Sequence, residues 1–378
     1  MPNHQLTKSP NHKIRMSVTA LEKHPCPACG AQAEWNPGKQ KLVCPFCGTE
    51  SPYAIAPTGE IQELDLVRAL REMPDDLRGW QTERRTVQCR SCKAVSVFDP
   101  ARVGQRCEFC GSPEIVDYEE IKAPIRPQSL LPFKVAESTV REQIRRWYKS
   151  KWLAPGSLKS RALVDTVRGI YIPYWTFDAQ VVCPWEADAG HYYYTTETYR
   201  DSKGNTQTRQ VRHVRWEPAS GLVNHFFDDE PIPGTHGVSH ALLKEVEPFM
   251  TNELVPYDTS YLSGFVVEHY QVVLLDAAKA SEDSMREKLE ELCAAQVPGD
   301  TYRNLVIHPT FSAQTFKHIL VPLWLLTYTY GAKVFHVLVN GASGRMAGEY
   351  PKSFWKVAFL VLGIIILVII VLLSQSNQ

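Results

Sequence analysis

The sequence predicts two small β-rich cysteine modules in tandem, then an α+β domain with duplicated β modules, then one C-terminal transmembrane helix. Three observations carry this: two cysteine quartets of identical spacing, a proline-containing strand motif that occurs twice, and an unbroken apolar run near the end. A chain of 378 residues has room for two or three domains. The expected boundaries are a flexible tail over 1–22, the first cysteine module over 23–52 and a linker with an amphipathic helix over 53–83. The second module follows over 84–120, the α+β domain over 121–352, the membrane helix over 353–374 and a short tail over 375–378.

Cys26-Pro-Ala-Cys29 and Cys44-Pro-Phe-Cys47 form the first quartet, and Cys89-Arg-Ser-Cys92 and Cys107-Glu-Phe-Cys110 the second. Each quartet has a Cys-x-x-Cys pair, a 14-residue loop and a second pair, and every cysteine recurs 63 positions later. Such a match implies internal duplication. Each turn offers two thiolates to one ion, and two turns close a tetrahedral shell, so the expectation is two tandem small zinc ribbons binding two Zn²⁺ ions. Gly30, Gly48 and Gly111 follow three of the four turns and accept left-handed backbone. Lys93 takes that place after the remaining turn, at a cost of about 1 kcal/mol. Rubredoxin-type iron uses similar turns, so zinc and iron both stay open. Disulfides would require an oxidising compartment, and a thioredoxin-like pair a βαβ setting. A segment of roughly 25 residues cannot bury a core, so the metal supplies folding energy. Four cysteine ligands leave no open position for catalysis.

Between the quartets, Ile61, Leu64, Val67 (or Leu66) and Leu70 fall at helical spacing before Pro74. Pro124, Pro127 and Pro132 mark a connector. Ser138–Trp152 reads as a helix with Thr139 and Glu142 as a capping box, an apolar stripe of Val140, Ile144, Trp147 and Tyr148, and a basic outer face. Ile170–Phe177 reads as strand, and Tyr192–Tyr199 and Thr206–Trp216 as a long hairpin closed by 201–205. Ser281–Gln296 is a third helix with Met285, Leu289, Leu292 and Cys293 on its apolar stripe. Phe265–Leu275 and Lys333–Val339 are further strands, the latter turning at Asn340-Gly341 into 345–349. Ile172-Pro-Tyr-Trp175 recurs as Val321-Pro-Leu-Trp324. Because proline cannot donate to a ladder, both copies are expected at an edge or a bulge.

Val357–Leu373 is apolar on every face and spans about 26 Å as a helix. Phe354-Trp355 would lie at headgroup level, with Lys352 and Lys356 on the cytoplasmic flank. The beginning of the chain shows no signal peptide. These features predict a single-pass protein of the cytoplasmic (inner) membrane with its bulk in the cytosol.

The 41 basic and 41 acidic residues cancel, which argues against a wholesale nucleic-acid surface. No Gly-x-x-x-x-Gly-Lys-Ser/Thr and no Gly-x-Ser-x-Gly occurs. His236 and His240 lack the glutamate of a zincin, with metal binding as the lesser alternative, and Asp228-Asp-Glu230 reads as a solvated loop, with a cation site as its lesser alternative. No nucleophile, base and orienting group assemble, so no enzyme is expected and no small-molecule substrate.

The two quartets, Leu131-Pro-Phe133, Trp152-Leu-Ala-Pro155, the 169–178 segment, Val321-Pro-Leu-Trp324, Val339-Asn-Gly341 and the apolar end together resemble a bacterial family of membrane-anchored double zinc-ribbon proteins. Members are labelled TFIIB-type zinc-ribbon proteins or primosomal-helicase-like, although this chain has no motor motif. The resemblance implies a membrane-tethered adaptor for protein partners, SPFH or phage-shock-type proteins among them, in envelope stress or membrane organisation. The alternative is a nucleic-acid-binding module of replication or transcription, favoured by Arg84, Arg85, Arg90, Lys93, Arg102 and Arg106 around the second ribbon.

Overall fold

The computed structural model describes residues 24–50, 61–72, 85–98, 107, 109, 112, 115–117, 125–155, 167–200, 206–330 and 333–376. The first ribbon is a hairpin of β1 (Glu34–Asn36) and β2 (Lys41–Val43), a two-stranded sheet of its own. Next come β3 (Leu64–Asp65), α1 (Leu66–Glu72), and three strands of the second ribbon, β4 (Arg85–Cys89), β5 (Val95–Phe98) and β6 (Ile115–Asp117). The first half of the body is β7 (Ser129–Leu130), α2 (Glu137–Ser150), β8 (Arg168–Arg200) and β9 (Thr206–Pro233). Then follow α3 (His240–Val246), β10 (Val255–Pro256), β11 (Val266–Glu268) and α4 (Leu274–Ala294). The chain finishes with β12 (Thr301–Ile307), β13 (Thr310–Tyr330), β14 (Lys333–Asn340), β15 (Met346–Gly348) and α5 (Phe354–Ser376).

Every strand from β3 onward belongs to one 13-stranded sheet. The expected α+β domain with ribbons set in front of it is therefore corrected to a mostly β architecture into which the second ribbon is woven. The reason is ladder continuity: β5 of that ribbon pairs antiparallel with β11, placing Val97 opposite Val267 and Ser96 opposite Glu268. Apolar alternation also runs along β8 well past the 170–177 motif, which extends the strand to 33 residues.

The recurrent proline motif lies at the centre of the sheet rather than at an edge. β8 and β13 pair antiparallel with Ile172 opposite Val321. On its other side β8 pairs with β11 through Tyr171 and with β9 from Tyr174, so Pro173 falls where one partner gives way to the next. Pro322 does the same on β13, between β7 (through Leu320) and β14 (from Leu323). A missing amide in that gap orphans no acceptor. Each proline carbonyl instead accepts from a glycine just past the returning strand, Gly234 N–H to Pro173 O and Gly341 N–H to Pro322 O, both at 2.9 Å. The units β7–α2–β8–β9 and β11–α4–β13–β14 thus repeat, and each one's short strand runs parallel to the other's long strand.

Alternation along β8 and β13 gives the sheet two faces. On one, α2 packs Val140, Ile144 and Tyr148 near Tyr171 and Trp324, and α4 packs Ala277, Met285, Leu289 and Cys293 over Trp175, Phe177, Val181 and Trp185. On the other, α3 and the second ribbon cover Ile170, Ile172, Tyr174 and Leu323. Three local expectations change. The N-cap of α2 is Ala136 with no side-chain cap bond, so the Thr139–Glu142 capping box does not form. Glu142 pairs with Arg146 instead. Leu292 is exposed, one position off the buried stripe of α4, and the 265–275 segment is strand only over β11 before α4 begins.

The transmembrane span is not borne out: among the described residues no helix is long and apolar enough to cross a membrane. α5 is helical over Phe354–Ser376. The inner-membrane, single-pass placement loses its basis with it.

Candidate metal centres

Cys26, Cys29, Cys44 and Cys47 converge at one end of the β1–β2 hairpin, with their sulfurs all within 4.8 Å of one another. Cys26 Sγ lies 3.5 Å from Cys47 Sγ, and Cys29 Sγ 3.5 Å from Cys44 Sγ. In the second ribbon, Cys89, Cys92 and Cys107 converge in the same way, with Cys92 Sγ 3.6 Å from Cys107 Sγ. Cys110 lies outside the described residues, as do Arg84, Arg102 and Arg106. Zn–S bonds of about 2.3 Å at tetrahedral angles put sulfurs about 3.8 Å apart. The two cysteine clusters could therefore hold metal ions, and their spacing is consistent with zinc.

The same local backbone builds the turns. Cys26 N–H donates to Ala31 O (2.6 Å) and Gly30 N–H to Cys26 O (2.8 Å). Cys44 and Gly48 repeat the pair at 2.9 and 3.0 Å, and Cys89 and Lys93 at 3.0 and 2.9 Å. The third residue of each pattern is left-handed, with φ of 74° at Gly30, 73° at Gly48 and 66° at Lys93. The lysine accepts the strained conformation because the turn demands it. Phe109 N–H donates to Cys107 Sγ at 3.4 Å, the amide-to-sulfur bond that suits a thiolate ligand. At Cys47 the Thr49 hydroxyl, 3.1 Å away, and the Thr49 backbone amide hold the thiol down to about 6. Deprotonation there favours metal capture near neutral pH.

The ribbons differ in how they meet the body. Ribbon 1 is anchored by its hairpin: Trp35 Nε1 donates to Phe133 O (3.2 Å), Gln40 Nε2 donates to the same carbonyl (2.9 Å), and Ser263 Oγ donates to Ala33 O (2.7 Å). Its metal end faces away, so Cys29 and Cys47 are exposed, as are Pro27, Ala28 and Pro45. Phe46 is 81% exposed. Ribbon 2 is anchored by its metal end. Cys89 and Cys107 are buried, Phe109 is 0% exposed, and Thr327 Oγ1 donates to the Phe109 carbonyl.

No protein-family model matches the chain, and no solved structure matches it. It is 24% identical over 261 residues to YdjG, an uncharacterized protein of Bacillus subtilis (strain 168), across 65% of this chain and 70% of that protein.

Among the described residues, the histidines read as candidates from the sequence join no metal-holding group. His236 and His240 stack at 6.3 Å, and His240 Nε2 lies 3.1 Å from Thr235 O. His318 is buried, its Nδ1 2.9 Å from Ile125 O, and burial pushes it down to about 3. Asp228 and Asp229 do gather with Asp178. Sequence reasoning missed the group that faces them: the ammonium of buried Lys317 lies 2.7 Å from Asp229 Oδ1 and 3.2 Å from Glu63 Oε1. Thr315 Oγ1 donates to Asp178 at 2.8 Å. A resident cation is thus supplied by the chain itself, and the signal for it was a lysine inside the apolar run 316–326.

Proposed function

We propose that this protein is a non-enzymatic adaptor in which Cys26, Cys29, Cys44 and Cys47 hold one Zn²⁺ ion, Cys89, Cys92, Cys107 and Cys110 hold a second, and ribbon 1 presents a protein-docking tip. One observation carries the reading. The duplicated knuckle phenylalanine is buried in the sheet at Phe109 but exposed at Phe46, beside Pro27, Ala28 and Pro45. Ribbon 2 thus uses its knuckle to bind protein within the chain, and ribbon 1 offers the same knuckle outward. Bound zinc supplies the folding energy of so small a unit.

Electrostatics favours protein over nucleic acid at this tip. Four thiolates around one Zn²⁺ leave a formal charge of about −2. The only cations of segment 24–50, Lys39 and Lys41, both bridge to Glu50 at 3.0 and 3.1 Å. A phosphate backbone meets repulsion there, whereas an apolar protein surface does not. SPFH and phage-shock-type proteins, the partners implied by the family resemblance, are the first candidates to test.

The test is crosslinking in intact cells followed by mass spectrometry, comparing the wild type with Phe46→Glu. The expected outcome is a stoichiometric complex lost in the variant while metal analysis still finds two ions per chain. A complex indifferent to Phe46→Glu, or a wild type without bound metal, overturns the reading.

A nucleic-acid reading draws on a different feature. Beyond Gly190, where pairing with β12 ends, β8 and β9 continue as a two-stranded arm to Arg200 opposite Thr206. It carries Arg200, Arg209, Arg212 and Arg215 among Tyr192, Tyr193, Tyr194 and Tyr199. Two of those arginines pair with carboxylates, Arg209 with Glu197 (2.9 Å) and Arg215 with Glu217 (3.0 Å), which weakens it as a phosphate track. A gel shift whose salt slope falls on Arg212→Ala supports that reading, and a slope unchanged by it counts against it.

A further inference from the structure

Within the adaptor reading, on which this inference rests, the geometry points to a second copy of this chain as the occupant of the ribbon 1 knuckle. The receiving surface is the bare end of the sheet face that ribbon 2 covers at its other end.

The chain shows by its own duplication what a knuckle of this kind binds. Phe109 sits with Ile170, Ile172 and Tyr174, the even-numbered side chains of β8, and with Ile319, Val321 and Leu323 of β13. Thr327 donates to its carbonyl. Farther along β8 the same face loses its cover, because α3 and ribbon 2 end. Val182 there is 39% exposed, and Leu222 and Phe226 on β9 and Val306 on β12 are exposed with it. Register places them together: Val182 faces Asn224, Pro184 faces Leu222, Gln180 faces Phe226 and Glu186 faces Val306. Thr310 lies opposite Val182 on β13 and is exposed. In this docking the Thr310 hydroxyl is the donor assigned to the Phe46 carbonyl. Both features, an apolar knob and an apolar seat with a hydroxyl donor, are thus on one chain.

They cannot meet within one molecule. The ribbon 1 hairpin is fixed by Trp35 and Ala33 among the core residues of the opposite face, near Tyr171 and Trp324. Only another copy brings a knuckle to the seat. The contact joins two different surfaces, so it is heterologous, and each copy can give a knuckle and receive one. Desolvating a phenylalanine on an apolar seat supplies the attraction.

The experiment places a benzoyl-phenylalanine photocrosslinker at position 46 of the full chain in intact cells. The expected product is an adduct of twice the chain's mass, in which peptide mapping joins position 46 to segment 220–228. Its yield should drop at least about tenfold in a Leu222→Glu background. Phe226→Ala serves as a second, milder variant of the seat, with bound metal as the check on folding. An adduct with a different protein alone overturns self-docking and leaves the adaptor reading standing. A double-mass adduct that maps elsewhere, or persists unchanged in both seat variants, also overturns self-docking. No adduct of any kind overturns both.

Discussion

Replacing Phe109 by alanine, and in a separate variant Phe46, compares one residue type at one duplicated position in two surroundings. Phe109 has no exposed surface. Truncating a phenylalanine so placed removes about 150–250 Å² of buried surface and leaves a cavity, a loss of about 3–5 kcal/mol. The Thr327 bond is made to the backbone carbonyl, so it survives and the loss belongs to the side chain alone. Phe46 is 81% exposed, and truncation there stays within about 0.5 kcal/mol. At about 2–4 °C per kcal/mol for a body of this size, Phe109→Ala lowers Tm by roughly 6–20 °C and Phe46→Ala by roughly 2 °C or less. Thermal unfolding of metal-loaded protein, followed by near-ultraviolet circular dichroism, reads the difference. Equal shifts, or a larger one for Phe46→Ala, would refute the claim that the two knuckles meet different surroundings.

Three further outcomes follow from the structure. Burial holds His318 down to about 3 while its unfolded value is near 6.5, so the stability it lends is complete above about pH 6.5 and is lost as pH falls toward 3. That amounts to roughly 3 kcal/mol at pH 4.5, and urea midpoints measured from pH 7 to 4.5 should flatten in His318→Gln; an equally steep profile in the variant removes this histidine as the cause. Lys317→Met leaves the carboxylates of Asp229 and Asp178 without their ammonium and should cost about 3–5 kcal/mol, part of it recovered when Asp229→Asn is added; a double variant no better than the single one disproves the pairing. Stripping metal with a chelator should free the ribbon 1 hairpin, shifting tryptophan emission to the red as Trp35 leaves Phe133 and Tyr261, and Trp35→Phe should lose most of that shift.

Much of the candidate site was legible because it is made of local geometry. Cys-x-x-Cys spacing, a left-handed residue after the second cysteine, and a five-residue closure between Arg200 and Thr206 depend on bonds spanning only a few residues. The strand motifs at 172–175 and 321–324 were also visible as a repeat. Their location was not: proline looked like an edge marker, because no short-range pattern shows that each strand changes partner at that residue. The apolar run of α5 likewise reads as a membrane span from composition alone, whereas among the described residues no helix is both long and apolar enough to cross a membrane.

The sequence by itself determined the two cysteine clusters, the turns that shape them and the long hairpin, since each follows from backbone sterics and period-two patterning within a short window. Only the tertiary structure decided which knuckle phenylalanine is buried, where Lys317 finds its carboxylates, and that the second ribbon is part of the main sheet. Phe109 meets Thr327 across 218 residues, and Lys317 meets Glu63 across 254. Contacts at such separations are set by sheet register, and identical local motifs placed at different points of that register acquire different neighbours.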